Sequence, residues 1–193
     1  MEGGWLLEAR PGTSQAVNAA DVRAALKRLA VASRNAEDTV VIYVSSHGTV
    51  GRAFDPQLQR RAVEKVVVTS DTLSESPMET GIPHRELIEA FNALRSRRKV
   101  LILDTCYSGT GKSRLSAKML SLLARQKAPF FAEPEDEMAE GSVILSASAW
   151  GEEAQESDAL RNGTYTHFLL KGFTQDLNND GAVSISEAHT YAS

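Results

Sequence analysis

Two side chains in this sequence can work together as nucleophile and base, the thiol of Cys106 and the imidazole of His47. Cysteine occurs once in 193 residues. Cys106 therefore has no partner for an internal disulfide and is either a small buried hydrophobe or a chemical group. It lies in the run Val100-Leu101-Ile102-Leu103-Asp104-Thr105-Cys106-Tyr107-Ser108-Gly109, where a continuous apolar stretch ends in an acid, the thiol and a Ser-Gly. Of four histidines, His47 is the one that directly follows a second buried run, Val40-Val41-Ile42-Tyr43-Val44-Ser45-Ser46, and precedes a glycine, Gly48. A histidine beside a thiol favours the thiolate, the actual nucleophile, and can then protonate a leaving amine. Gly48 and Gly109 let the backbone approach a substrate closely, and N–H groups in such turns can hold a developing oxyanion. The competing reading makes Cys106 part of the core and His47 a satisfied turn residue. The same context around both, a strand end followed by glycine, favours the pair.

Two further stretches carry chemistry. Residues 176 to 187 fit the calcium-loop pattern D-x-N-x-D-G-x5-E in full. Oxygen donors from Asp176, Asn178, Asp180, the Ala182 backbone, Ser184 and a bidentate Glu187 suit calcium, with Gly181 making the sharp turn. The same residues also read as a tight Asx turn followed by Ser184 capping a helix, with Glu187 as its capping-box partner. Gly111-Lys112-Ser113 matches the end of a phosphate-binding loop, which would make the chain a nucleotide hydrolase. The first glycine of that loop would fall on Cys106, whose side chain obstructs the wrap around the phosphates, and no second Asp-ending strand for magnesium stands out.

The elements that must position these residues follow from periodicity. Asn18 to Ala32 is expected to be a helix with Val22, Ala25, Leu26 and Leu29 on its apolar face, Asn18 as cap and Asp21 in the first turn. Val40 to Val44 is a strand apolar on both faces, as in a covered parallel sheet, and residues 49 to 62 read as polar and irregular. Val66 to Val68 is a further strand candidate, running into Ser70-Asp71. Pro83 opens a helix whose apolar face is Leu87, Ile88, Phe91 and Leu94. Beyond the Cys106 strand come a helix-like segment near Leu115 to Leu123, a strand at Val143 to Ala147, an acidic turn at Glu152, Glu153 and Glu156, and a helix from Thr164 to Phe173. Trp5-Leu6-Leu7 is the only part of the first fourteen residues able to form a strand. Arg95, Arg97, Arg98 and Lys99 read as the solvated end of a helix. Strands alternating with helices predict an α/β domain with an open sheet, helices on both faces, and reactive residues at the carboxyl ends of the strands.

With 42% hydrophobic and 24% charged residues, the composition is that of one ordinary globular domain over 1–193. No apolar run approaches the roughly 18 residues needed to span a membrane, so neither a membrane nor a signal segment is expected. A formal net charge of -4 leaves no electrostatic footprint for nucleic acid. The lone thiol suits a reducing compartment, and the expected location is cytoplasmic.

The blocks Tyr43-Val44-Ser45-Ser46-His47-Gly48 and Leu103-Asp104-Thr105-Cys106-Tyr107-Ser108-Gly109 resemble the two catalytic blocks of caspase-like cysteine peptidases, the clan of caspases, metacaspases and prokaryotic orthocaspases. The likeness is to the prokaryotic, metacaspase-like branch. His47 and Cys106 are 59 positions apart, against roughly 50 in caspases. The resemblance extends over nearly the whole chain and implies a three-layer sandwich around a mostly parallel sheet. It further implies peptide-bond hydrolysis by a Cys106/His47 dyad, oxyanion donors from the backbone of Gly48 and Cys106, and a protein or peptide substrate, with no cofactor needed for the chemistry. The family position two before the cysteine is a glutamine in animal caspases. Here it is Asp104, which would attract Arg or Lys and repel Asp. Otherwise Asp104 caps the strand end through local hydrogen bonds. Asp71, Glu152 and Glu153 could add negative charge nearby. The family's first strand is expected to be missing or short, since few residues precede Gln15, and Ser46 stands where glycine is commoner. The segment 108–141 reads as a mobile linker. It offers Lys112, Arg114, Lys118, Arg125 and Lys127 to a protease of basic specificity, so a self-processing zymogen, with an upstream activator, is expected. A catalytically inactive interaction module is the alternative within the family.

Overall fold

A computed structural model describes residues 16–55, 59–106, 141–147, 156–157 and 162–192. The elements are α1 (Ala19–Ala32), β1 (Thr39–Asp55), β2 (Arg60–Val67), the short α2 (Pro77–Thr80), β3 (Ile82–Pro83), α3 (His84–Asn92), β4 (Arg98–Cys106), β5 (Ser142–Ser146), β6 (Glu156–Ser157), β7 (Asn162–Gly163), α4 (Thr164–Gly172) and α5 (Ile185–Ala192). Among the described residues the main sheet has the order β3-β2-β1-β4-β5, and β6 and β7 form a separate antiparallel pair.

The strands β1, β4 and β5 run parallel, as a mostly parallel sheet requires. On the other side of β1, β2 and β3 are antiparallel, so the sheet is mixed. Apolar side chains from α1 and α3, including Ala19, Leu87, Ile88 and Phe91, bury one face against Val40, Leu101 and Leu103. The opposite face is covered by Tyr165 and Leu169 of α4 and Ala188 of α5, packed on Ile102 and Leu145. Helices therefore lie on both faces, which makes the three layers of the expected α/β sandwich.

Local chemistry accounts for the helix ends. The Asn18 side chain accepts from the Asp21 amide at 2.9 Å while the Asn18 amide donates to Asp21 at 3.1 Å, a reciprocal capping box. Helix α3 carries the expected buried stripe of Leu87, Ile88 and Phe91, with Leu94 buried just beyond its end, and Pro83 stands at its N-cap. Arg23 of α1 donates through Nε and Nη2 to the two oxygens of Glu86 on α3, tying the two helices of that layer together.

Three expectations are corrected. β1 does not end near His47 but continues to Asp55, because Gly48 to Asp55 pair with Arg60 to Val67 and bury Thr49, Val50, Ala62 and Val63. The stretch read as irregular is thus largely a hairpin. β1 is also not covered on both faces: Val41 is 59% exposed and Tyr43 49%, since the apolar cover of the second face centres on β4 and β5. Finally, Lys99 is no solvated charge. It is 3% exposed, and its Nζ donates to the Phe91, Asn92 and Leu94 carbonyls at 3.0, 3.0 and 3.1 Å. These carbonyls belong to the last two residues of α3 and to Leu94 just beyond it, at the helix end where a cation is favoured by the helix dipole. Arg95, Arg97 and Arg98 remain exposed.

The expected strand at Trp5 to Leu7, the Leu115 to Leu123 helix, the 108–141 linker up to residue 140, Gly111-Lys112-Ser113, Glu152 and Glu153 lie outside the described residues. No helix among the described residues is long and apolar enough to cross a membrane.

Candidate active site

The ladder between β1 and β4 sets the site. Its register runs Tyr43 to Ile102, Ser45 to Asp104 and Ser46 to Thr105, and it ends at the pair His47 and Cys106. Two residues far apart in sequence thus stand opposite each other on neighbouring strands, whose spacing is about 4.8 Å. At the next residue β1 changes partner: Gly48 pairs with Val67 of β2, and the Val68 amide donates to the His47 carbonyl at 2.9 Å. The change leaves His47 between a parallel and an antiparallel neighbour. Ser46 secures the junction, its hydroxyl donating to the Val68 carbonyl at 2.6 Å. His47 and Gly48 are therefore strand residues rather than members of a turn, and Gly48 is buried. The imidazole Nδ1 of His47 is buried and has no hydrogen-bond partner among the described residues.

Asp104 is 1% exposed. Its Oδ2 accepts from Thr166 Oγ1 at 2.5 Å, and the same threonine hydroxyl lies 2.9 Å from the Tyr43 hydroxyl. Thr166 is in the first turn of α4, so the carboxylate faces a helix N-terminus, which favours negative charge. Neighbouring Tyr165 is pushed up to about 12, by burial first and by Asp104 second. It stays protonated at neutral pH, and its hydroxyl shares a hydrogen bond of 2.9 Å with Nδ1 of His189.

Asp71 is engaged at the start of α1. Its Oδ1 accepts from Thr69 Oγ1 at 2.7 Å and from the Ala19 amide at 3.0 Å, at the start of α1. These bonds, the one from Thr69 foremost, hold its carboxyl below the usual range.

The loop at 176–187 has its oxygen donors turned onto its own backbone. Asp176 accepts from the Asp180 and Gly181 amides, Asn178 from the Asp180 amide, and Asp180 from the Ala182 amide. Glu187 accepts from the Leu177 and Asn178 amides on one oxygen and from the amide and hydroxyl of Ser184 on the other. With Ser184 Oγ accepting from the Glu187 amide at 3.2 Å, this is the capping box of α5. The donor set is the hard-oxygen kind that calcium takes. Among the described residues, however, no three or more His, Cys, Asp or Glu side chains are grouped to hold a metal ion.

Thr166, Tyr43 and the Ser46 hydroxyl are the site's contributions that periodicity and motif spacing do not reveal. Thr166 is one hydroxyl on a helix 62 residues beyond Asp104, and only the packing of α4 against β4 brings the two together.

A family model described as "Caspase domain" matches residues 11–192, nearly the whole chain. Comparison with curated proteins finds no match.

Proposed function

This chain belongs to the caspase-domain family of peptidases, and from that premise we propose that it is a cysteine endopeptidase that cleaves after Arg or Lys with a Cys106/His47 dyad. The observation that supports the dyad best is the register of β1 on β4, in which His47 and Cys106 form the last pair of a parallel ladder. The buried Nδ1 of His47, without a partner among the described residues, is a base for which no other donor competes there.

The chemistry follows from those two groups. Cys106 gives its proton to His47, and the thiolate attacks the carbonyl carbon of the scissile bond. The carbonyl oxygen takes the electron pair and is held by the backbone N–H groups of Gly48 and Cys106. Collapse of the adduct expels the amine, which takes the proton from His47 and leaves a thioester on Cys106. Water, deprotonated by His47, hydrolyses that thioester, releases the new carboxyl end and restores the thiol. The cycle requires no cofactor.

Asp104, a buried acid two positions before the nucleophile, supplies the basic specificity. A carboxylate pairs with an incoming guanidinium or ammonium and rejects an acidic side chain. The basic residues between Ser108 and Gly141 are then substrates for the enzyme itself, which makes the chain a self-processing zymogen. Calcium at Asp176, Asn178, Asp180, Ala182, Ser184 and Glu187 is a regulatory addition to this reading and takes no part in the chemistry. Binding there requires Glu187 to exchange its bonds from Leu177, Asn178 and Ser184 for the cation.

The test is cleavage of fluorogenic peptides with Arg, Lys or Asp at the cut site, with and without calcium, by the full chain and by Cys106→Ala. Turnover of Arg and Lys peptides that vanishes in the variant is expected, together with slow conversion of active protein to shorter bands. Activity surviving Cys106→Ala would refute the mechanism, activity only on Asp peptides the specificity, a single intact band the self-processing. A calorimetric titration without heat at millimolar calcium would remove the calcium reading.

A further inference from the structure

We propose that Thr166 is a positioning residue for Asp104, with Tyr43 as the second member of the same hydroxyl chain; this rests on the reading of Asp104 as the acid that meets a basic substrate side chain. Three elements meet in one hydrogen-bond chain that ends on a carboxylate oxygen. Asp104 is third from the end of β4, Thr166 is in the first turn of α4, and Tyr43 lies four residues before His47 on β1. Thr166 Oγ1 donates to Asp104 Oδ2 at 2.5 Å, and Tyr43 Oη is 2.9 Å from Thr166 Oγ1.

A threonine hydroxyl has one proton, and an ionised carboxylate only accepts. With the Thr166 proton committed to Asp104, the bond between the two hydroxyls must use the tyrosine's proton. The chain therefore has a direction, from Tyr43 O–H to Thr166 O–H to the Asp104 carboxylate, and each bond polarises the next. Gly163 bounds the same group: a Cβ there would stand 2.4 Å from Asp104 Oδ2 and 3.0 Å from Oδ1, so a side chain at 163 is incompatible with this rotamer. At 1% exposure, Asp104 is oriented by such contacts and not by water. A basic side chain arriving at the pocket then meets a carboxylate already aimed, and the entropy cost of fixing that carboxylate does not fall on the binding step. Through Tyr43 the specificity acid is also tied to the strand that carries His47.

Thr166→Val removes the hydroxyl and keeps the branched shape, and Thr166→Ser restores the donor. The experiment measures kcat and KM on Arg, Lys and neutral-residue peptides, with a thermal melt of each protein, for the full chain and for Thr166→Val, Thr166→Ser, Tyr43→Phe and Asp104→Asn. Thr166→Val is expected to raise KM for Arg and Lys peptides roughly tenfold, the scale of one hydrogen bond to a charged group, with kcat within about twofold. Serine should recover most of that loss, and Tyr43→Phe should raise KM about two- to threefold. Unchanged KM in folded Thr166→Val, while Asp104→Asn abolishes the basic preference, overturns the proposal and leaves the Asp104 reading standing. A loss confined to kcat or to melting temperature likewise overturns it. Full basic preference in Asp104→Asn, or none in the unmodified chain, overturns both. Should Thr166→Val melt too low to assay, Tyr43→Phe carries the same comparison, and an unchanged KM there overturns the directed chain.

Discussion

Replacing Lys99 by methionine keeps the apolar stem and deletes the ammonium that closes the end of α3. Two effects compete. Burial opposes the charge and pushes the ammonium below its ordinary value, so its removal returns part of a desolvation cost. Against this, Nζ satisfies three carbonyls, and the bonds to Phe91 and Leu94 are buried. A buried acceptor left without a partner costs about 1–3 kcal/mol, while the Asn92 carbonyl, on an exposed residue, can turn to water. The ammonium also sits 5.2 Å from the Phe91 ring centroid, a cation–π contact that methionine replaces only in part. The Phe91 carbonyl keeps the Leu94 amide at 3.2 Å, so one buried carbonyl, that of Leu94, is left bare and loses about 2 kcal/mol at mid-range, of which relief of the ammonium's burial returns roughly half. The variant is therefore expected to be about 1 kcal/mol less stable, a fall in melting temperature of about 2–4 °C for a chain of this size. Urea denaturation followed by circular dichroism at matched pH measures the difference directly. A Lys99→Met protein as stable as the parent, or more so, would show that desolvation outweighs the three carbonyls and refute the capping role.

Two other outcomes follow from close contacts elsewhere. Glu187 is held below the ordinary glutamate value by its bonds from Ser184 first, then from the Asn178 and Leu177 amides. A depressed folded-state value means that its contribution is present above the unfolded value, about 4.3, and disappears as pH falls through the folded one. The stability gap between the parent and Glu187→Gln should therefore be constant near pH 7 and close below about pH 4; a gap independent of pH would count against the cap. At Gly172 a Cβ would stand 2.5 Å from the Ala188 carbonyl oxygen and 2.8 Å from its Cα, where α4 crosses α5. Gly172→Ala should cost about 1–3 kcal/mol despite alanine's better helix propensity, and a neutral or raised melting temperature would mean that the helices separate freely.

The parts of the fold that could be read from the chain are those decided by local pattern. The buried stripe Leu87, Ile88, Phe91 and Leu94, the Asn18 and Asp21 capping box, the strand ending at Cys106 and the Ser184 and Glu187 cap each rest on spacing within a few residues. Cys106 was legible as a strand-end residue, whereas His47 lies inside β1, and only pairing register sets the two opposite each other. The hairpin of Gly48 to Val67 escaped because its stability is cross-strand: Gly51, Arg52 and Glu64 carry little strand signal, and Glu64 is buried by what packs on it. Lys99 escaped for the same reason, since a charge cluster read along the sequence does not show that one member turns inward onto a helix end. Thr166 and Tyr43 required the tertiary packing of α4 on the sheet.

The change of partner at His47 makes one strand answer to two neighbours at once. Sliding β1 by one residue along β4 would turn Val40 and Val44 out of the core while bringing Val41 and Tyr43 into it. The alignment of His47 with Cys106 is thus protected by the same burial that stabilises the sheet. Single-residue insertions or deletions between Val40 and Ser46 are shut out as a route of variation, whereas changes of length beyond Asp55, at the far end of the hairpin, leave that alignment untouched.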